Sequence, residues 1–211
     1  MRTGITDREY ERIEQRKRPP VSGIDLEQAL NYVRAGPVGL ELFYYSFTRP
    51  VTFYKRGSRP LLERYAMKNV DPRADAATRL KQCVEAVERD VPHHVHFGNE
   101  LPGDRAPTEE QILAQGRGWC NEQARLLVAL TQICGMPSRM LFVRFHTICE
   151  VYVDTKWVSV DQTFGHVFQT SAGDLLNVLD IRRDADVCED ANSVYRKKLE
   201  AIFERLCERL G

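Results

Sequence analysis

Hydrophobic residues in the first half of the chain recur at helical spacing in three segments. Residues 25–34 carry apolar side chains three and four positions apart and are followed by a Gly-Pro pair, which predicts a helix. The same spacing predicts helices over residues 61–68 and 75–90. Residues 39–55 are rich in aromatic and β-branched side chains but contain a proline, so strand and helix both stay open there.

In the second half of the chain, the pattern changes from helical to strand-like. Thr108 and Gln111 have the spacing of a capping box, which predicts a short helix as far as Gln115. From Trp119 the sequence is apolar on nearly all sides until Gly135, which predicts a buried central helix. Three β-prone runs follow, at residues 140–143, 148–153 and 157–160, and then two helical segments at 171–179 and 192–210.

These elements predict an α+β fold. The central helix, which carries Cys120, should pack on an antiparallel sheet of at least three strands, with further helices contributed by both ends of the chain. We divide the chain into an N-terminal helical extension, residues 1–74, that packs on a core, residues 75–211, that includes a C-terminal helix. The two parts are expected to form one compact unit.

Composition narrows the class of protein. Of the 211 residues, 43% are hydrophobic and 28% are charged, which is ordinary for a globular protein with one substantial core. Lys plus Arg equals Asp plus Glu at 30 each, so no net field attracts nucleic acid or an anionic membrane. The polar N-terminus lacks a signal-peptide pattern, and no run of about 18 apolar residues could span a bilayer. We therefore expect a cytoplasmic protein, with no nucleic-acid or membrane partner and with its six cysteines mostly free.

Cys120 is the strongest candidate for a chemical role. It stands at the first turn of the central helix, where unpaired N–H groups and the helix dipole stabilise a thiolate. The alternative is that Cys120 only packs in the core, as free cysteines commonly do. Its neighbours in space must decide between the two.

The register of the predicted hairpin supplies those neighbours. If the chain turns through Asp154 and Thr155, Val153 faces Lys156, and His146 becomes the diagonal neighbour of Asp161 on one face of the sheet. A three-residue turn would instead move Asp161 to the opposite face. A cysteine at a helix start, a histidine and a carboxylate are what nucleophilic acyl transfer requires.

Two segments, GRGWCNEQARLLVALTQICGMPSRM and HTICEVYVDTKWVSVDQT, resemble motifs of the transglutaminase-like superfamily in content, order and spacing. The resemblance covers about residues 107–165 and implies a transglutaminase-like or papain-like core. It implies Cys120 as the nucleophile, His146 as the histidine that opens the second core strand and Asp161 as the aspartate that closes the third. Acylation of the cysteine through a thioester requires neither metal nor cofactor, so none is expected.

The sequence departs from the family pattern at three places. Ile148 stands where the family usually has tryptophan, and Gln162 where it has proline, so the pocket wall beside the histidine should differ. The connection between Arg139 and His146 is short.

For the oxyanion, the Cys120 N–H is an obvious donor, and Gln115 or Trp119 could supply a second.

We expect hydrolysis of an amide or peptide bond, as in a cysteine protease or amidase, with a peptide, protein or small amide as substrate. A transglutaminase or deamidase, and a non-catalytic binding module favoured by the short connection before His146, are the alternatives. His93, His94 and His96 could bind a metal, but the absence of an acidic or cysteine partner at a recognisable spacing favours a surface or loop cluster. For Arg139 we favour a structural role.

Overall fold

The computed structural model describes residues 32–35, 40–43, 46–47, 55–93, 108–143 and 146–210. The predictions made for residues 1–31, among them the start of the 25–34 helix, lie outside these ranges. His94 and His96 also lie outside them.

Four helices lie between residues 60 and 133 in the described ranges, and the sequence predicted all four. They are α1 (Pro60–Asn69), α2 (Ala76–Asp90), α3 (Glu109–Gln115) and α4 (Cys120–Ile133). The side chain of Asp75 caps α2, and the predicted capping box of α3 is present. Helix α4 begins at Cys120, as the pattern predicted.

In the described ranges, the strands form a two-stranded and a five-stranded antiparallel sheet. In the larger sheet the order is β3-β4-β5-β6-β7, so consecutive strands are neighbours. The strands are β1 (Tyr32–Ala35), β2 (Leu40–Phe43), β3 (Ser46–Phe47), β4 (Ser138–Val143), β5 (His146–Val153), β6 (Lys156–Asp161) and β7 (His166–Val167). The α+β fold class is confirmed.

The hairpin between β5 and β6 has the predicted register. Val153 faces Lys156 across a two-residue turn, in which Asp154 has φ 52°. Asparagine and aspartate tolerate this left-handed conformation better than most residues do, so the Asp-Thr pair can close the hairpin tightly. Asp161 therefore ends β6 on the same face as His146.

Two helix predictions were wrong in part. Within the predicted helix 25–34, residues from Tyr32 onward form β1, which pairs with β2 so that Tyr32 faces Phe43. Pairing with a neighbouring strand here outweighs a short helical pattern that contains aromatic and β-branched residues. The open segment 39–55 contributes strands β2 and β3.

The second error concerns residues 171–179. The backbone N–H of Asp174 donates to the Thr170 hydroxyl in a turn, and the helix begins only after Asn177, whose side chain caps it. Polar residues of this kind favour turns and caps over helix interiors. The helices observed are α5 (Val178–Arg183) and α6 (Ala185–Leu210), so the last predicted helix starts seven residues earlier than expected.

The larger sheet is covered on both faces. On one face, buried residues of α1, α2 and α4 pack against Cys149, Val151 and Val160. On the other face, Leu141 and Ile148 pack with residues that follow the sheet, including Phe168 and Tyr195. Within the described part of the chain, no helix has the length and apolar content needed to cross a bilayer.

The buried carboxylate of Glu109 links α3 to the segment before α1 and to the central helix, α4. Glu109, at the start of α3, binds Arg59 before α1 at 2.9 Å and Arg125 of α4 at 3.1 Å. Glu109 is 4% exposed, so its charge is compensated by these two guanidinium groups rather than by water. The pairing fixes α3 against α4 and thereby fixes the loop between them that precedes Cys120.

Candidate active site

The loop between α3 and α4 positions Cys120. Gly116 ends α3 in the left-handed conformation, with φ 67°. Gly118 allows a close approach, because a Cβ at this position would lie 3.3 Å from the Glu122 Cβ and 3.5 Å from the Ile112 Cγ2. The Glu122 carboxylate accepts a hydrogen bond from the Trp119 N–H at 2.9 Å and so caps α4.

His146 and Asp161 meet at the ends of their strands. The His146 Nε2 lies 3.0 Å from the Asp161 Oδ2. Asp161 is fully buried; its Oδ1 accepts the Thr163 N–H at 3.0 Å, and its Oδ2 also accepts the Tyr195 hydroxyl at 2.7 Å. Burial by itself raises the pKa of Asp161, but the charge and hydrogen bond of His146, with those from Tyr195 and Thr163, hold it below its usual value. Asp161 is thus an ionised acceptor that orients the imidazole.

His146 also acts on Cys120, which brings the three predicted residues together. Burial raises the pKa of the Cys120 thiol, but hydrogen bonds from His146 and His93, the charge of His146 and the Thr147 backbone N–H lower it to about 5. Burial lowers the pKa of His146, whereas Asp161 and Cys120 raise it to about 10. Between these values the pair is a thiolate and an imidazolium.

Gln162 ties the two halves of this arrangement together. Its Nε2 donates to the Cys120 carbonyl at 3.0 Å and to the Thr147 carbonyl at 2.8 Å, so one amide spans from the start of α4 to β5. The Gln162 side chain is buried, and its Oε1 has no hydrogen-bond partner. The departure from proline at this position therefore places a structural clamp directly beside the nucleophile.

A second polar chain fixes the segment that follows α2. The Gln123 Nε2 donates to the Val91 carbonyl at 2.8 Å, and its Oε1 accepts the Thr163 hydroxyl at 2.7 Å. Thr163 in turn donates its N–H to Asp161. Residues 91–93 are thus linked through α4 to the carboxylate of the site.

His93 lies in this segment and is part of the site, which the sequence analysis missed. It forms a parallel β-bridge with Gly118, two residues before Cys120, and its ring meets the Trp119 ring edge to face at 5.4 Å. From there it helps to lower the pKa of the Cys120 thiol. His94 and His96 lie outside the described residues, so the interpretation of the three histidines as a surface or loop cluster stays a prediction. No sequence spacing places His93 beside Cys120, because residues 93 and 120 are brought together only by the packing of α2 against α4.

Gln115 is engaged within its own turn. Its Nε2 donates to the Arg117 carbonyl at 3.4 Å, at the end of α3. Gln115 stays the candidate oxyanion donor that the sequence suggested. The structure adds His93 as a second candidate for that role.

Three other cysteines lie in the core. The Cys83 and Cys134 sulfurs are 3.8 Å apart in the core, and the Cys149 thiol donates to the Ala124 carbonyl at 3.5 Å. Burial raises the pKa of Cys149 far above its usual value. These three thiols are therefore enclosed by the core.

Arg139 is also structural, as predicted. Its guanidinium binds the Glu150 carboxylate at 2.6 Å and lies 4.1 Å over the ring of Trp157. Both partners of the ion pair are buried.

Among the described residues, no group of three or more His, Cys, Asp or Glu side chains could hold a metal ion.

The fold and the site together define a class of protein. A buried helix that begins with a cysteine packs on an antiparallel sheet, and a strand histidine backed by an aspartate meets that cysteine. The model of the Transglutaminase-like superfamily matches residues 64–162, which include Cys120, His146 and Asp161. This match confirms the resemblance drawn from the motifs, and cysteine-dependent acyl transfer is the general chemistry that the superfamily suggests.

No match was found among curated proteins or among solved structures. Tyr195 lies beyond the matched region, in α6. The residue that shares the Asp161 Oδ2 with His146 therefore comes from outside the part of the chain that the superfamily model describes.

Proposed function

We propose that this protein is a cysteine-dependent acyl-transfer enzyme that hydrolyses amide or peptide bonds through a thioester on Cys120. The observation that carries the proposal is the 3.0 Å contact between His146 and Asp161, with His146 acting in turn on the Cys120 thiol. In this group of three the cysteine is poised as a thiolate and the histidine as an acid, and the aspartate is buried and ionised.

In the acylation step, the Cys120 thiolate attacks the substrate carbonyl carbon and the carbonyl oxygen becomes an oxyanion. Backbone N–H groups at the start of α4 are placed to stabilise that charge. The C–N bond then breaks, and the His146 imidazolium gives its proton to the departing amine. A thioester on Cys120 and a neutral His146 result.

In deacylation, His146 takes a proton from water as the water attacks the thioester carbon. Collapse of the second tetrahedral intermediate releases a carboxylic acid and regenerates the Cys120 thiolate and the imidazolium. Asp161 accepts a hydrogen bond from His146 throughout and stabilises its charged form without itself taking the proton.

The alternative enzymes differ in which group attacks the thioester and in which amide is cleaved. Attack by a primary amine in place of water would make the protein a transglutaminase, and hydrolysis of a glutamine side chain would make it a deamidase. The non-catalytic alternative depended on a misplaced His146. The 3.0 Å contact between His146 and Asp161, and the effect of His146 on the pKa of Cys120, favour catalysis over that alternative.

The first experiment is the pH dependence of iodoacetamide alkylation, resolved by peptide mapping. With a thiol pKa of about 5, Cys120 is about 90% thiolate at pH 6, whereas an unperturbed cysteine of pKa about 8.5 is less than about 1% thiolate. Cys120 should therefore alkylate readily at pH 6. His146→Ala should slow that reaction at least about tenfold, since the imidazolium that stabilises the thiolate is lost.

Cys188 provides an internal control in the same digest. It is partly exposed, and burial raises its pKa, so it should react only at alkaline pH and equally in both proteins. If Cys120 follows the profile of Cys188, the proposal fails.

A second experiment separates the reaction types. Dimethylcasein is incubated with the protein and a fluorescent primary amine, and peptide cleavage, ammonia release and amine incorporation are measured together. We expect cleavage or ammonia release that Cys120→Ser abolishes. Amine incorporation as the dominant product would establish the transglutaminase alternative.

A further inference from the structure

We propose that His93 is a catalytic residue of this site and supplies the side-chain hydrogen-bond donor to the oxyanion. The inference rests on the proposed function and completes it, since the mechanism needs a second donor beside the backbone N–H of Cys120. The sequence pointed to Gln115 or Trp119 for this role.

The backbone around His93 is fixed in relation to the nucleophile. The Gly118 N–H donates to the Pro92 carbonyl at 3.2 Å, and His93 pairs with Gly118 two residues before Cys120. The carbonyl of Val91 is held by Gln123 of α4 at 2.8 Å. His93 thus sits on a short strand-like segment that is hydrogen-bonded to the turn and to the helix that carry Cys120.

The ring of His93 is also positioned. It packs edge to face against Trp119, at 5.4 Å between ring centroids and 89° between ring planes. The bridge to Gly118 and the contact with Trp119, the residue before Cys120, place this ring beside the nucleophile, where it helps to lower the pKa of the thiol. A preorganised donor of this kind stabilises charge without reorganising during the reaction.

A donor that reaches the sulfur can also reach the oxyanion. In the tetrahedral intermediate, the oxyanion is carried by the carbon that is bonded to sulfur, only two bonds from the Cys120 Sγ. As negative charge passes from sulfur to oxygen, the His93 N–H can follow it by a small shift. His93 transfers no proton in this step, because the acid and base work belongs to His146.

His93 and His146 therefore have different roles at one sulfur. His146 is held by Asp161 through Nε2, which raises its pKa and suits it to proton transfer. His93 is held by its backbone and by an aromatic ring, and acts as a donor. Gln115, the competing donor, bonds to the Arg117 carbonyl within its own turn.

The test compares two reagents for Cys120, of which only one creates an oxyanion. Iodoacetamide alkylates the thiolate by displacement at a saturated carbon, with loss of iodide. p-Nitrophenyl acetate acylates it through a tetrahedral intermediate, with release of p-nitrophenolate and formation of an acetyl thioester. Both rates are measured at pH 8, inside the range in which the thiolate and imidazolium coexist.

The main variant is His93→Phe, which keeps a ring against Trp119 but has no N–H. We expect acylation to slow about 10- to 100-fold while alkylation changes less than about twofold, since removal of one oxyanion donor acts only on the intermediate. His93→Gln, which restores a side-chain N–H, should recover most of the acylation rate. His93→Leu provides a second donor-free side chain if the phenylalanine disturbs folding.

Gln115→Leu is the matched truncation of the donor that the sequence suggested, and it should slow acylation much less than His93→Phe does. Unchanged acylation in His93→Phe, or an equal loss of acylation and alkylation, would overturn the assignment. So would a selective loss of acylation in Gln115→Leu. A wild-type Cys120 that reacts with neither reagent at pH 8 would remove the proposed function itself, and this inference with it.

Discussion

Replacing Tyr195 by phenylalanine tests the contribution of α6 to the site. The Tyr195 hydroxyl donates to the Asp161 Oδ2 at 2.7 Å, with Tyr195 2% exposed and Asp161 fully buried. A hydrogen bond to a buried charged group contributes about 1.5–3 kcal/mol, so the variant should lose that much unfolding free energy at pH 7. For a chain of this size the melting temperature should fall by about 3–12 °C.

The loss should depend on pH in a defined direction. The pKa of Asp161 is lowered in the folded protein, so its stabilising contribution exists above the ordinary aspartate pKa of about 4 and is lost as the pH falls. Without the hydroxyl, the pKa of Asp161 should rise. The difference in unfolding free energy between Tyr195→Phe and wild type should therefore be full at pH 7 and shrink below about pH 4.

Urea denaturation at several pH values measures this difference. Tyr65→Phe is the matched control, because the Tyr65 hydroxyl also donates to a carboxylate, that of Asp90, at 2.7 Å, but Asp90 is partly exposed and is not the carboxylate that contacts His146. The control should cost less stability and leave the alkylation profile of Cys120 unchanged. If Tyr195→Phe costs no more than Tyr65→Phe, or if its cost is independent of pH, the interpretation of the Tyr195 contact is wrong.

Two further predictions follow from the ionised pairs. Folding raises the pKa of His146 from 6.5 to about 10 and lowers the pKa of Cys120 from 9.0 to about 5. Between about pH 6.5 and 9 the pair therefore holds one proton in both states, on Cys120 in the unfolded chain and on His146 in the folded chain. Its contribution to stability, measured as the difference in urea unfolding free energy between wild type and the Cys120→Ala/His146→Ala double variant, should be flat over that range. The contribution should fall below about pH 6.5 and above about pH 9. A continuous slope from pH 6.5 to 9 would contradict the assigned ion pair. Glu150→Gln should cost about 3–5 kcal/mol by the same denaturation measurement, because it removes the carboxylate that neutralises the buried Arg139 guanidinium. A cost below about 1 kcal/mol would mean that the pair adds little net stability.

Much of the core could be predicted because its signals are local. The apolar run after Trp119 and the Gly135 stop are enough to place α4, and the capping box is enough to place α3. Where local patterns were short or mixed, prediction failed. Tyr32–Ala35 carries a helical spacing, yet strand pairing decides its conformation.

The three principal candidate residues were predictable for a related reason. A helix start fixes where Cys120 lies, and period-two alternation with a two-residue turn fixes the face shared by His146 and Asp161. These are relations between neighbouring elements. The order of the motifs along the chain then suggested how the helix and the sheet meet.

The sequence by itself thus determined the central helix, the hairpin register and the residues that could form a nucleophile, a base and an orienting carboxylate. Only the tertiary structure decided that His93 pairs with Gly118 beside the cysteine, that Tyr195 donates to Asp161, and that Gln162 joins the cysteine helix to β5. Each of these contacts crosses between elements far apart in the chain. Helical and strand periodicities state which way a side chain faces on its own element, but the partner it meets there depends on how the elements pack.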